Sequence, residues 1–154
     1  MKRPLLTPDG TPVSRFCFGT MQFGGKADEA ASRNLYDASR EAGINFFDTA
    51  YAYTEGRSET FLGRFAAPER DRVFIASKAD FSRGSGAAGI RASAEESRRR
   101  LGMDRIDLYY LHRWDPKVPL DETFAALAEE LAAGRIGAIG VSNFSAWQVM
   151  KAEA

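Results

Sequence analysis

Short apolar runs alternate along this chain with longer stretches in which apolar residues return every third or fourth position. Residues 15–20 (RFCFGT), 44–49 (INFFDT), 72–78 (RVFIASK), 106–112 (IDLYYLH) and 136–142 (IGAIGVS) carry the compact apolar, aromatic-rich character of buried strands. Their starts, at 15, 44, 72, 106 and 136, lie 29, 28, 34 and 30 residues apart. That spacing is the size of one strand-helix-strand unit, so the pattern predicts a parallel sheet with helical crossovers. Helical periodicity fills the gaps. Residues 28–42 open on Asp28 as N-cap, place Ala31, Leu35, Ala38 and Ala42 on one predicted inward stripe, and stop at Gly43. Residues 90–101 place Ile90, Ala94 and Leu101 together before Gly102, and 120–133 place Phe124, Leu127 and Leu131 before Gly134. A shorter helix is predicted over 58–65 and another from Ser145 onward, while Pro8-Asp9-Gly10 marks an N-terminal β-hairpin. With no linker or low-complexity segment, residues 1–154 read as one α/β domain. Two architectures use this alternation, the eight-stranded β/α barrel and the open doubly wound sheet, and both put chemistry at the C-terminal ends of strands.

Charge narrows the range of partners. Lysine plus arginine and aspartate plus glutamate number 21 each, so no net field draws the chain to nucleic acid or anionic lipid. No apolar run approaches the ~20 residues of a membrane span, and the basic opening MKRPLLTPDG lacks the apolar core of a signal peptide. A single cysteine, Cys17, excludes an internal disulfide and fits a reducing, cytoplasmic location. Cys17 itself reads as packing, and no metal site is expected.

The strand ends carry the chemistry. The second predicted strand leads into Asp48, the third ends in Lys78, the fourth in His112 (the only histidine) and the fifth in Ser142-Asn143. Taken singly, each has a quiet explanation as a cap, a solvated end or a satisfied core histidine. Four successive strands ending this way imply a site, because ionisable groups at buried strand mouths are costly unless they pair or work. Tyr53, five residues past Asp48, can fold back over the mouth, and Tyr51 competes with it on composition. Gly84-Ser85-Gly86-Ala87-Ala88-Gly89 fits a dinucleotide fingerprint but lies in the third strand-helix loop, which makes it a flexible loop rather than a phosphate cradle. Arg98-Arg99-Arg100, among Glu95, Glu96 and Asp104, reads as a solvated helix face.

These segments together resemble the aldo-keto reductase family. Asp48-Thr49-Ala50-Tyr51-Ala52-Tyr53, then Glu55-Gly56-Arg57-Ser58-Glu59 and Leu62-Gly63, are similar to its signature. Residues 75–78, 107–112 and 140–144 (GVSNF) and the opening 18–24 (FGTMQFG) match further family segments in order and spacing. The resemblance implies a partial (β/α)8 barrel, about five of eight strands, and an NADP(H)-dependent reductase of aldehydes and ketones. It assigns catalysis to Asp48, Tyr53, Lys78 and His112, with Tyr53 as general acid. An unassisted phenol is a weak acid at neutral pH, and an ammonium beside it stabilises the phenolate. Asp48 would fix the lysine and His112 would orient the carbonyl oxygen. The resemblance further implies that Thr20, Met21, Asp48, Ser142 and Asn143 contact the cofactor. Trp114 would line the pocket of a small-molecule carbonyl substrate.

Potassium-channel beta subunits share this fold, so a non-catalytic regulatory subunit is one alternative and an inactive fragment another. Five strands where the barrel needs eight leave out the aromatic that stacks on the nicotinamide and the phosphate-gripping loops. A truncated chain of weak or no activity is therefore expected, self-associating through open sheet edges.

Overall fold

The five strands pair in parallel, each with its sequence neighbour, in a computed structural model that describes residues 4–154. They are β1 (Cys17–Gly19), β2 (Phe46–Asp48), β3 (Phe74–Lys78), β4 (Leu108–Leu111) and β5 (Ile139–Val141), in the spatial order β1-β2-β3-β4-β5. A doubly wound sheet reverses its strand order at a switch point; this one never does, so it is a segment of a β/α barrel. The ladders are shorter than the apolar runs suggest, because pairing persists only where both neighbours run alongside. Beyond it, Ile106 and Ile136 form an isolated bridge. Helices α1 (Glu29–Glu41), α2 (Arg57–Ala66), α3 (Ala87–Leu101) and α4 (Leu120–Ala132) lie in the crossovers, and α5 (Ala146–Glu153) follows β5. The turn at Pro8-Asp9-Gly10 is built as predicted, with Gly10 at φ 87°. The hairpin's ladder reduces to one antiparallel bridge, Leu6 to Pro12. Among the described residues no helix is long and apolar enough to cross a membrane.

Strand alternation sorts side chains to two faces. On the outer face Phe47, Ile75, Tyr109 and Leu111 join Tyr36, Leu62, Ile90, Leu101 and Leu127 from the helices in one core. The inner face holds a smaller cluster of Phe74, Ala76 and Leu108, flanked by Val13, Phe46, Tyr110 and Ala138. Gly63 lets α2 lie directly against the end of α3: a Cβ there would come within 2.1 Å of the Leu101 carbonyl oxygen.

The structure corrects the inward face of α1. Ser32, Tyr36 and Ser39 are buried, whereas Ala31, Leu35 and Ala38 face solvent. One large ring decides the rotation. Tyr36 stacks on Phe47 at 4.7 Å and donates its hydroxyl to Glu69 Oε1 at 2.8 Å, while the two serines hide their hydroxyls on backbone carbonyls. No alanine stripe matches that buried area. On α4 the buried set is Thr123, Ala126, Leu127 and Glu130, leaving Leu131 40% exposed. Glu130 is neutralised by Arg135 at 2.7 Å. On α3, Ile90, Ala94 and Leu101 are buried as predicted. Tyr36→Ala is expected to lower unfolding free energy by about 3–5 kcal/mol, and Leu35→Ala by less than about 1 kcal/mol. Urea denaturation of the two variants checks this; comparable losses would mean that α1 faces the other way.

Candidate active site

Asp48 and Lys78 end adjacent strands on the inner face, so the pleat that carries Phe74 and Ala76 inward carries Lys78 inward too. Lys78 is only 6% exposed. Its ammonium has three donors and the structure supplies three acceptors. It forms an ion pair with Asp48 Oδ1, donates to the Thr49 carbonyl at 2.8 Å, and reaches the Tyr53 hydroxyl at 3.3 Å. It also lies 4.9 Å from the centre of the Tyr53 ring.

Tyr53 reaches this point through an unusual turn. It opens a 3-10 segment, Tyr53–Gly56, in which Thr54, Glu55 and Gly56 have φ of 48°, 59° and 88°. Only Gly56 adopts the left-handed region without penalty; Thr54 and Glu55 each cost on the order of 1–3 kcal/mol there. Side chains offset that strain. The Thr54 hydroxyl donates to the Phe23 carbonyl at 2.7 Å and accepts from the Ser58 amide at 3.0 Å, and Arg57 Nε donates to the Gly24 carbonyl at 2.7 Å.

Tyr51 points elsewhere. Its hydroxyl accepts from Arg83 Nη2 at 2.9 Å and its ring lies under the Arg100 guanidinium at 4.1 Å, so Tyr53, not Tyr51, meets Lys78.

His112, following β4, stands edge-to-face with Tyr53 at 6.1 Å and with Phe81 at 5.4 Å. Burial, then the positive charges of Lys78 and Arg113, push its pKa below the ordinary histidine value. The imidazole is therefore neutral at neutral pH. Nδ1 is buried without a hydrogen bond, which leaves Nε2 as the nitrogen a ligand can reach.

The remaining predicted residues divide. Thr20 is fully buried, its hydroxyl spent on the Asp48 carbonyl at 3.1 Å and on Ser58 at 2.9 Å, so it is turned away from the mouth. Met21 is 52% exposed beside it. Asn143, at φ 55°, donates Nδ2 to the His112 carbonyl at 2.9 Å and to Ser142 Oγ at 3.1 Å, tying the ends of β4 and β5 together. Trp114 packs edge-on against Phe144 at 5.5 Å and borders a cavity of about 420 Å³ shared with Phe81, Ser85 and Arg113. In the glycine-rich loop, the first amide of α3, Ala87, donates to Glu122 Oε1 at 3.1 Å.

Sequence reading gave Phe81, Glu59 and Arg100 no part in the site. Arg100, expected on a solvated face, has a side chain only 17% exposed and bonded to the Tyr51 carbonyl at 2.9 Å. Helical spacing held the signal: Arg100 falls three residues after buried Ser97 and next to buried Leu101.

The model of the aldo/keto reductase family matches residues 15–154. The chain belongs to the aldo/keto reductase family. An uncharacterized oxidoreductase of Bacillus subtilis, YrpG, is 34% identical across 100% of this chain and 53% of its own length. Among solved structures, the thermostable aldo-keto reductase Tm1743, in complex with the inhibitor epalrestat, superposes with a TM-score of 0.87 at 30% identity, covering 98% of this chain and 56% of that one. An aldo-keto reductase from Klebsiella pneumoniae in complex with NADPH gives 0.84 at 30%, covering 97% and 52%. The chain thus spans about half the length of the aldo-keto reductases it matches, and its five strands are part of their barrel.

The lowered His112 pKa has a stability consequence of definite sign. As pH falls below 6.5, the unfolded chain takes up a proton that the folded chain resists, so folding stability declines. Denaturant titrations across that acid range should show His112→Gln losing less stability than the parent. Identical acid profiles for the two would mean that His112 titrates normally.

Proposed function

We propose that the residues at this mouth form the acid-base centre of an NADP(H)-dependent reductase that converts aldehydes and ketones to alcohols. The observation that carries this reading is the convergence of Asp48, Lys78 and Tyr53 on one buried ammonium, with His112 beside the phenol ring. Tyr53 holds the proton that a reduced carbonyl oxygen must receive. Lys78, dehydrated and held by Asp48, stabilises the phenolate left behind once that proton moves. At pair distances near 4 Å a charge interaction of a few kcal/mol is available in such surroundings. His112, neutral, offers a hydrogen bond through Nε2 that orients the carbonyl oxygen.

A nicotinamide cofactor supplies the hydride when bound. The end of β5 fits its carboxamide: Asn143 Nδ2 is occupied, while Asn143 Oδ1 has no hydrogen-bond partner among the described residues and can accept from an amide. A Cβ at Gly19, beside Asp48 across the ladder, would meet nothing within 4 Å, so the mouth has room there. Ser142, Asn143, Met21 and Asp48 are the residues we assign to the cofactor, and Trp114 with Phe81 to the carbonyl substrate. A reducing compartment such as the cytoplasm suits the free Cys17 thiol.

In the full-length enzyme Tyr53→Phe deletes only the hydroxyl. Carbonyl-dependent NADPH oxidation should fall by roughly a hundred-fold or more while cofactor affinity, followed by quenching of tryptophan fluorescence, stays within about two-fold. Near-normal turnover in that variant would assign the proton to another group.

The 154-residue polypeptide leaves β1 and β5 as free edges and exposes Phe16 (76%), Trp147 (62%) and Met150 (68%) at the two ends of the sheet. We expect it to self-associate through those edges and to show little reductase activity. Light scattering that returns the mass of one chain, with NADPH oxidation that Tyr53→Phe abolishes, would overturn this.

A further inference from the structure

Behind the mouth, on the helix side of the sheet, lies a charge the reaction does not use. Glu59, on α2, is fully buried. Its Oε1 accepts from Ser77 Oγ at 2.6 Å, and its Oε2 pairs with Arg100 Nη1 at 3.3 Å. Ser77 precedes Lys78 on β3 and points to the opposite face. A fully buried carboxylate is costly, and burial pushes its pKa up against the pull of Ser77, Ser97 and Arg100. Its contacts account for its place.

Arg100 carries the connection onward. Its Nη1 also donates to the Tyr51 carbonyl at 2.9 Å and its Nε to Glu96 at 2.8 Å. The Tyr51 ring lies 4.1 Å from the guanidinium carbon on one side, and a Cβ added to Gly56 would come within 2.6 Å of the same carbon. Residues 51–56 are therefore wound round one guanidinium, and Tyr53 is at the middle of that winding. The three successive left-handed residues, Thr54 to Gly56, are what such a tight wrap requires.

We propose that Glu59 and Arg100 are positioning residues that hold Tyr53 against Lys78, the guanidinium serving as the post for the tyrosine loop and the carboxylate fixing that post to β3. The geometry demands a planar fork: Arg100 must stack on Tyr51 and donate in its own plane at once. A lysine ammonium at this position keeps the charge but cannot do both. The pair touches neither substrate nor cofactor. Its functional meaning rests on Tyr53 being the acid; its structural meaning does not.

The test is a carbon-13 NMR spectrum of the chain labelled at tyrosine, with the Tyr53 signal identified by its disappearance in Tyr53→Phe. In Arg100→Lys and in Glu59→Gln the Tyr53 signal should shift and broaden, while the signal of Tyr36, buried in the main core and bonded to Glu69, stays in place. Glu96→Ala removes a partner of Arg100 outside the loop and should leave both signals unchanged. In the full-length enzyme the same two substitutions should lower kcat on the order of ten- to a hundred-fold, with KM for the carbonyl little altered. A Tyr53 signal that stays fixed in both variants overturns the proposal whatever the turnover does. So does loss of the Tyr36 signal along with it, since the pair would then serve the whole fold. A Tyr53 that moves while turnover is unchanged upholds the positioning and removes Tyr53 as the acid.

Discussion

Lys78 is an ammonium taken almost entirely out of water, and the upper half of the molecule is arranged around satisfying it. Leaving such a charge unpaired in a protein interior costs several kcal/mol, so each of its three protons must find an oxygen. The oxygens come from the end of β2 (Asp48), the chain just after it (Thr49) and the loop beyond (Tyr53). That demand fixes register. If β3 slid by one residue against β2, Lys78 would turn toward the helices and Ser77 toward the mouth, and Phe74 and Ile75 would exchange faces as well. The apolar alternation of β3 and its terminal charge therefore specify the same alignment.

The two ends of the sheet use polar residues differently. At the N-terminal ends they are spent on backbone. Asn45 accepts from the Ser14 amide at 2.7 Å and donates to the Pro12 carbonyl at 3.0 Å. Asp107 accepts from the Ile75 amide at 2.8 Å and holds Arg70 at 2.8 Å. These bonds close the bottom of the barrel segment. At the C-terminal ends the polar side chains turn to one another, and His112 Nε2 and Asn143 Oδ1 remain open to a ligand. One end spends its polar groups on the backbone and the other leaves polar atoms open, the division typical of β/α barrels.

The architecture was legible because its signals are periodic. The five runs near thirty residues apart gave the strand order; Asp28, Gly102 and Ser145 marked helix ends where the caps now lie, and Gly43 follows the C-cap Ala42. The α1 face was not legible, because counting apolar positions weighed three alanines and a leucine above one tyrosine. Burial follows area and available partners, and Tyr36 had both. Within the site, Asp48, Lys78 and His112 could be found at strand ends. Tyr53 could be separated from Tyr51 only by family spacing, since what distinguishes them is a turn wound on an arginine fifty residues away in sequence. The orientation of Thr20 was illegible for a related reason: a hydroxyl at a strand end can equally well be absorbed by the fold, and Ser58 absorbs it.

Ser77 and Lys78 show how the fold links its two sides. Adjacent residues of a strand face opposite ways, so the residue that meets the buried carboxylate of Glu59 and the one that meets Tyr53 are one peptide apart. The outer face fixes β3 through Glu59, and Glu59 holds Arg100; the inner face carries the ammonium; and the chain from Tyr51 to Gly56 passes from one to the other. A displacement of α2 against β3 would thus reach the tyrosine loop through Arg100 and the lysine through Ser77. Both partners of the 3.3 Å contact between Lys78 and Tyr53 are set from the far side of the sheet, where no substrate can disturb them. Rigid support of this kind holds the Tyr53 hydroxyl at the mouth of the sheet against one side chain, Lys78.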